Sequence, residues 1–402
     1  MDPARRPLYN AHFSQALFER FLHRLQSDLG PVEFAVAETP LFFTPALRDH
    51  LARSAREIAV QLAEPGILAE LKKAIPPEYD VPGMDALPNC VQVDFALVEG
   101  PNGLEGKVIE LQAFPSLYAM ETFFAQAWSE QLNTIAGLQG DWTCYVDQTR
   151  AQAVKLMRDT IVADADPLET VLVDYQPQHQ KTLPDFVATE KLFGVESICV
   201  TELIVSGNKL FRMRAGKKIP VRRIYNRMVF DELQVKNVAV PFHWNDPLDV
   251  TWCSHPNWYW AWSKFSLPYL HHSAVPRSRF LNTLGPGDAE GDLSGYVLKP
   301  LFSFAGSGVV VDVTRDDLDR VPADQRHGWV LQEKVEYAQA LTTPEGAGVK
   351  AEVRMMLLRP PGGAELIPVL PLVRMSRGKM IGVDHNKGLS WVGGSVALWP
   401  AG

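Results

Sequence analysis

Cys90-Val-Gln-Val-Asp94-Phe-Ala-Leu-Val98, then Pro101-Asn102-Gly103, then Lys107-Val-Ile-Glu110-Leu-Gln112, is the stretch on which the fold of this 402-residue chain turns. The first run alternates apolar and polar residues, as a strand does. Pro-Asn-Gly reads as a turn, and the last run reads as the returning strand of a hairpin. Residues two apart on a strand share a face, so Glu110 and Gln112 project together and Asp94 meets them from the partner strand. Two carboxylates and an amide carbonyl form an oxygen cage suited to a hard cation such as Mg²⁺, which takes few protein oxygens and completes its octahedron with phosphate and water. The other reading is the polar face of a solvated hairpin.

On the N-terminal side, residues 1–84 read as helical. Thr44-Pro45 is an N-cap followed by proline at the first helical position, and Leu47, Leu51, Ile58 and Leu62 recur at helical spacing. On the C-terminal side, Ser116 is expected to cap a helix running to about Ile135. Thr170 to Tyr175 is a short apolar strand of the kind buried in a parallel sheet. A helix near Pro184–Phe193, a strand over Ser197–Leu203 and a hairpin into Lys209–Met213 complete a small α/β subdomain over 165–250. Trp258, Tyr259, Trp260 and Trp262 read as core or interface anchors rather than a platform for bases. From Gly295 onward strands are expected at 296–300, 309–313, 329–335, 350–358, 366–375 and 391–398.

Three further constellations carry chemistry. A strand delivers Lys299 into a small-residue loop with Ser303, Gly306, Ser307 and Gly308. Backbone N–H groups of such a loop can close around phosphate oxygens while the lysine adds a point charge. The spacing is not a Walker A pattern, and an ordinary hairpin turn is the alternative. The strand Trp329–Val335 carries Gln332 and Glu333, placed to read an adenine edge and a ribose hydroxyl. Glu352 and Arg354, with Arg374 and Asn386 further on, supply arginines that can clamp a transferring phosphoryl group or an acyl phosphate. Structural salt bridging is the other reading.

Composition narrows the class. Hydrophobic content of 46% and charged content of 21% are ordinary for a soluble domain. The net charge of −8 argues against nucleic acid as the main partner. No apolar run approaches a membrane span, the start does not read as a signal peptide, and a cytoplasmic location is expected. Cys90, Cys144, Cys199 and Cys253 are too dispersed for a metal knuckle or a redox pair. No GxSxG elbow or HExxH motif is present, and His271-His272 reads as structural.

Taken together, these segments resemble the ATP-grasp superfamily. Lys299-Pro300-Leu301 with the following Gly-Ser-Gly resembles its phosphate-loop segment. Gln332-Glu333 resembles its adenine hinge, and Glu352-Val-Arg354 followed by Arg374 its late strands. The metal segment that usually comes last resembles Asp94…Glu110-Leu-Gln112, near the front. That order is similar to the circularly permuted ATP-grasp proteins, the glutathionylspermidine synthetase-like group among them. Val221-Arg-Arg223-Ile-Tyr-Asn-Arg227 resembles the inserted subdomain of that group. The resemblance implies an α/β (α+β) fold with an N-terminal helical region (1–84), a metal-binding half (85–164), an inserted Rossmann-like, pre-ATP-grasp subdomain (165–250) and a nucleotide-binding half (251–402).

It also implies ATP and Mg²⁺ as cofactors and small-molecule carboxylate and amine substrates joined through an acyl phosphate. Asp94, Glu110 and Gln112 would hold metal. Lys299, Ser303, Gly306, Ser307, Gly308, Gln332 and Glu333 would hold nucleotide. Arg354, Arg374 and Lys299 would act in catalysis, and Arg223 and Arg227 would grip the acid. Neither nucleic acid nor membrane is an expected partner, and a homodimer stays open. Gln112 stands where the family has asparagine, and Gln92 where the synthetase-like group tends to carry arginine. Because no separate amidase domain is present, glutathionylspermidine synthesis itself is not expected. A phosphotransferase of the same fold, or a non-catalytic scaffold, stays open beside the ligase reading.

Overall fold

The computed structural model describes residues 1–285, 291–303, 308–378, 386 and 388–401. The front hairpin forms one edge of its largest sheet, which has eight strands. The order is Leu41–Phe42, Gly393–Pro400, Ile367–Ser376, Gly348–Leu358, Cys90–Gly100 and Gly103–Gln112, with Leu341–Thr342 and Trp142–Thr143 paired alongside. Leu41–Phe42 runs parallel to its neighbour and the other pairings are antiparallel. The hairpin therefore lies beside strands from the far end of the chain. The 90–100 strand is buried nearly throughout, so its polar residues lie inside the molecule. Helix Pro45–Leu62 approaches the hairpin closely: a Cβ at Gly106 would lie 2.4 Å from Leu51 Cδ2.

A second sheet has four parallel strands in the order Thr251–Cys253, Arg223–Asn226, Thr170–Asp174 and Glu196–Cys199. The strand expected from Thr170 lies in this sheet, and the sheet's edge strand lies beyond residue 250. The expected 197–203 strand also ends early, at Cys199, where a 3₁₀ turn takes over. Residues 204–221 form a separate three-stranded meander. A four-stranded antiparallel sheet orders Ser278–Phe280, Trp329–Glu333, Tyr296–Pro300 and Val310–Val311. The 251–402 segment is thus divided. Thr251–Cys253 joins the parallel sheet, the middle part builds this small sheet, and the last part completes the large one.

Local signals explain several elements. Thr44 Oγ1 accepts from the Leu47 N–H at 3.3 Å with Pro45 at the first helical position, as expected. The helix after the hairpin differs: Leu117, not Ser116, is its N-cap, in the left-handed region at φ 64°. Its open N–H groups are met from another helix, Leu183–Phe193. Asp185 accepts from the N–H groups of Leu117 (3.2 Å) and Met120 (3.0 Å). Trp258 and Trp262 are fully buried, as core anchors should be. His272 pairs with Glu57 at 2.9 Å, and the four cysteines are buried and free. Among the described residues no helix is long and apolar enough to cross a membrane.

Glu121, one turn into the 118–132 helix, is buried, and its Oε2 has no hydrogen-bond partner. Burial, then the nearby Asp185, holds its carboxyl well above the ordinary range. The native state therefore keeps a proton that the unfolded chain releases above its ordinary carboxyl range, and this opposes folding as pH rises. Glu121→Gln removes that linkage. The variant should be more stable than wild type in denaturant titrations at pH 7, with the gap closing toward pH 4.

Candidate functional site

The hairpin register is the expected one. Asp94 faces Glu110 and Gln92 faces Gln112 across it. On the other side Asp94 is opposite Arg354, and Glu352 is opposite Arg374. Strand pairing thus brings Glu110, Asp94, Arg354, Glu352 and Arg374 onto one patch of one sheet face.

The contacts within this patch correct the expected division of labour. Asp94 is 1% exposed. Its Oδ1 accepts from Arg354 Nε at 2.7 Å, and its Oδ2 from Arg354 (2.7 Å) and Arg374 (2.5 Å). Burial, the largest influence, pushes its carboxyl up, but the two guanidiniums outweigh it and hold the group below the usual range. A carboxylate so engaged is not an open metal ligand. Glu352 Oε2 lies 2.9 Å from Arg374, and its Oε1 accepts from the Tyr337 hydroxyl at 2.8 Å. Burial still raises its carboxyl overall. The amide nitrogen of Gln112 donates to Gln92 Oε1 at 2.6 Å, which points its carbonyl oxygen elsewhere. Glu110 is the carboxylate left open. About a third of its side chain is exposed, and its near neighbour is Lys264 Nζ at 3.9 Å.

Lys299 joins the eight-stranded sheet to the four-stranded antiparallel one. The 90–112 hairpin has a bulge that leaves Ile109 without a register partner. Lys299 Nζ donates to the Ile109 carbonyl at 2.7 Å and to Gln332 Oε1 at 2.6 Å. Among the described residues no carboxylate lies within ion-pair distance of it. Burial pulls its ammonium down to about 8, against the opposing pull of Glu110. Lys264 is a functional candidate that the sequence did not reveal. It is buried beside Glu110 and donates to the Ser303 carbonyl at 2.8 Å, at the mouth of the glycine loop. It follows the aromatic run without any motif of its own, so only folding brings it here.

The loop residues Gly306 and Ser307 lie outside the described residues. Gly308 has φ +74°, and a Cβ there would be 3.1 Å from Pro300 Cγ, so glycine is required where the loop rejoins the sheet. Gln332 Nε2 is buried without a partner, next to Lys299. Glu333 Oε2 accepts from the Arg277 N–H at 3.2 Å. A cavity of about 570 Å³ opens beside this segment, lined by Val98, Lys107, Val275, Glu333, Lys334 and Tyr337 among others. Tyr337 thus connects the cavity to the ion-pair patch. Asn386 Oδ1 accepts from Ser376 Oγ at 2.9 Å, at the end of the 367–376 strand.

Arg223 and Arg227 do not join this group, which corrects their expected role. Arg223 opens the Arg223–Asn226 strand of the parallel sheet, Arg227 follows its end, and both are buried. Arg223 donates to the carbonyls of Ile161 (2.8 Å) and Thr160 (2.7 Å) and to Thr251. Arg227 is ion-paired to Asp185 and lies over the Phe186 ring at 4.9 Å. Guanidiniums held in this way tie elements together and have little left for a substrate.

No family model and no curated protein matches the sequence. Among solved structures, the fold is similar to that of a glutathione synthetase-like effector from Globodera pallida in its apo form. The TM-score is 0.56 at 12% identity, covering 96% of this chain and 97% of that one. The mixed α/β architecture with several sheets is compatible with an ATP-grasp-like fold.

Proposed function

We propose that this chain is an ATP-dependent carboxylate–amine ligase of the circularly permuted ATP-grasp type. The observation that carries the reading is Lys299, a buried ammonium without a carboxylate partner among the described residues, held between the hairpin bulge and Gln332. A buried cation without a counter-charge is costly unless an anion completes it, and nucleotide phosphates are such an anion. Lys264 lies beside the same position. The cavity next to Glu333 has apolar walls in Val98 and Val275, which suit a nucleobase. The glutathione synthetase-like neighbour supports ligase-type chemistry, and the front hairpin lying beside the late strands supports the permuted order.

On this reading Lys299 and Lys264 hold the phosphates. The substrate carboxylate takes the γ-phosphoryl group, ADP leaves, and an amine displaces phosphate to form the amide. Arg374, about a third exposed, and Arg354 behind it meet the negative charge that develops on the acyl phosphate. A magnesium ion, when bound, would be held by Glu110 with the carbonyl oxygen of Gln112 and would offset phosphate charge. The acid and amine are small molecules.

The test is incubation with Mg-ATP and pools of amino acids, peptides and amines, following ADP and new amide masses. Amine-dependent ADP release with a matching amide is the expected result. A stable phosphorylated product released without any amine would overturn it. The ammonium also sets a pH dependence. Lys299 is charged below about 8 and neutral above, so binding a phosphate chain requires proton uptake at higher pH. The Kd for ATP should be flat below this point and rise above it, by about tenfold per pH unit for one proton. Calorimetric titration from pH 6.5 to 9.5 checks this.

A further inference from the structure

We infer that the site takes one divalent cation and not two, held by Glu110 together with the nucleotide's own phosphates, and that Asp94 is a positioning residue for Arg354 and Arg374. The inference rests on the nucleotide reading above and concerns how that site handles charge.

Among the described residues three carboxylates line the patch, and two are closed. Asp94 accepts three charge-assisted hydrogen bonds from two guanidiniums. Glu352 is held by Arg374 on one oxygen and Tyr337 on the other. For Asp94 to turn to a metal, Arg354 would have to give up its carboxylate while about nine-tenths buried. Glu110 keeps exposure and only a long contact with Lys264. Gln112 adds a neutral carbonyl oxygen. The donor set therefore suits one ion that brings phosphate and water as its remaining ligands.

Charge balance points the same way. Among the described residues, Lys264, Lys299, Arg354 and Arg374 face Asp94, Glu110 and Glu352, an excess of one positive charge before any ligand arrives. A second dication would add to that excess, and among the described residues no open carboxylate remains to receive it. The lysines and Arg374 stand in for it, and Asp94 fixes the geometry of Arg374.

The experiment counts Mn²⁺ bound to the full chain saturated with a non-hydrolysable ATP analogue, by electron paramagnetic resonance. Analogue binding is measured separately by calorimetry. One Mn²⁺ per complex is expected. Glu110→Gln should weaken Mn²⁺ by about tenfold or more. Asp94→Asn should leave the Mn²⁺ count at one while slowing ADP formation, and Asp94→Glu should restore part of the rate. Two Mn²⁺ in the wild-type complex would overturn the inference and leave the nucleotide reading standing. So would loss of Mn²⁺ from Asp94→Asn with the analogue still bound. Failure of the analogue to bind with or without Mn²⁺ would overturn both. The wild-type count decides the matter even if a variant does not fold.

Discussion

Asp185→Ala is expected to lose about 3–5 kcal/mol of stability, the cost of stranding one partner of a buried ion pair. Asp185 has no solvent exposure and Arg227 has 3%. Removing the carboxylate leaves a guanidinium inside the protein with the Phe186 ring beside it and Tyr225 and the buried Asp174 as weaker electrostatic partners. The same carboxylate caps the 118–132 helix through Leu117 and Met120, and loss of a cap costs about 1 kcal/mol. Leu117 adds to the dependence because its left-handed backbone is tolerated only while that cap holds. Asp185→Asn separates the two roles, since an amide oxygen still accepts from backbone N–H groups. It should recover the cap but not the ion pair. Arg227→Met in the Asp185→Ala background should restore part of the loss, because the stranded charge is gone. Urea midpoints for the four proteins test this. Equal midpoints for wild type and Asp185→Ala would show that the pair does not hold the two helices and the parallel sheet together.

Lys299→Met should have the opposite signature, with function lost and fold kept. On the proposed reading, removing the buried ammonium takes away a preorganised charge at the phosphates. Such a loss costs on the order of 10²–10³ in kcat. Folding should change little. Methionine fills similar space and avoids burying a charge, while the Ile109 carbonyl and Gln332 Oε1 each lose a donor, so the two effects offset to within about 1–3 kcal/mol. The sign of the pH dependence is fixed. The native ammonium titrates near 8 and the unfolded one near 10.5, so wild type gains stability as pH rises across that window. The relative gain of the methionine variant is therefore largest below pH 8 and fades above it. A variant that is stable, pH-flat and inactive toward ATP is the expected result. Retained ATP binding with unchanged affinity would remove Lys299 from the site.

The same physics explains what could be read in advance. Hairpin 90–112 and the meeting of Asp94 with Glu110 followed from alternation and a Pro-Asn-Gly turn, because strand geometry puts every second residue on one face. Strands 296–300 and 170–174, helix 45–62 and its Thr44 cap were local in the same sense. Ser116 failed as a cap because the true acceptor, Asp185, comes from a different helix. Asp94 was read as an open ligand because its partners, Arg354 and Arg374, are more than 250 residues away in the chain. Arg223 and Arg227 were read as substrate grips because sequence does not reveal burial. Lys264 was overlooked because no local pattern marks it.

Sequence by itself determined many of the elements, the pairing of the front hairpin and the order of the motifs, all of which depend on neighbours a few residues apart. Tertiary structure alone decided which charges meet. It closed Asp94 between two arginines, left Glu110 open and set Lys299 in the Ile109 bulge. The reason is that side-chain ionic chemistry depends on burial and on partners distant in the chain, and neither is encoded in local spacing.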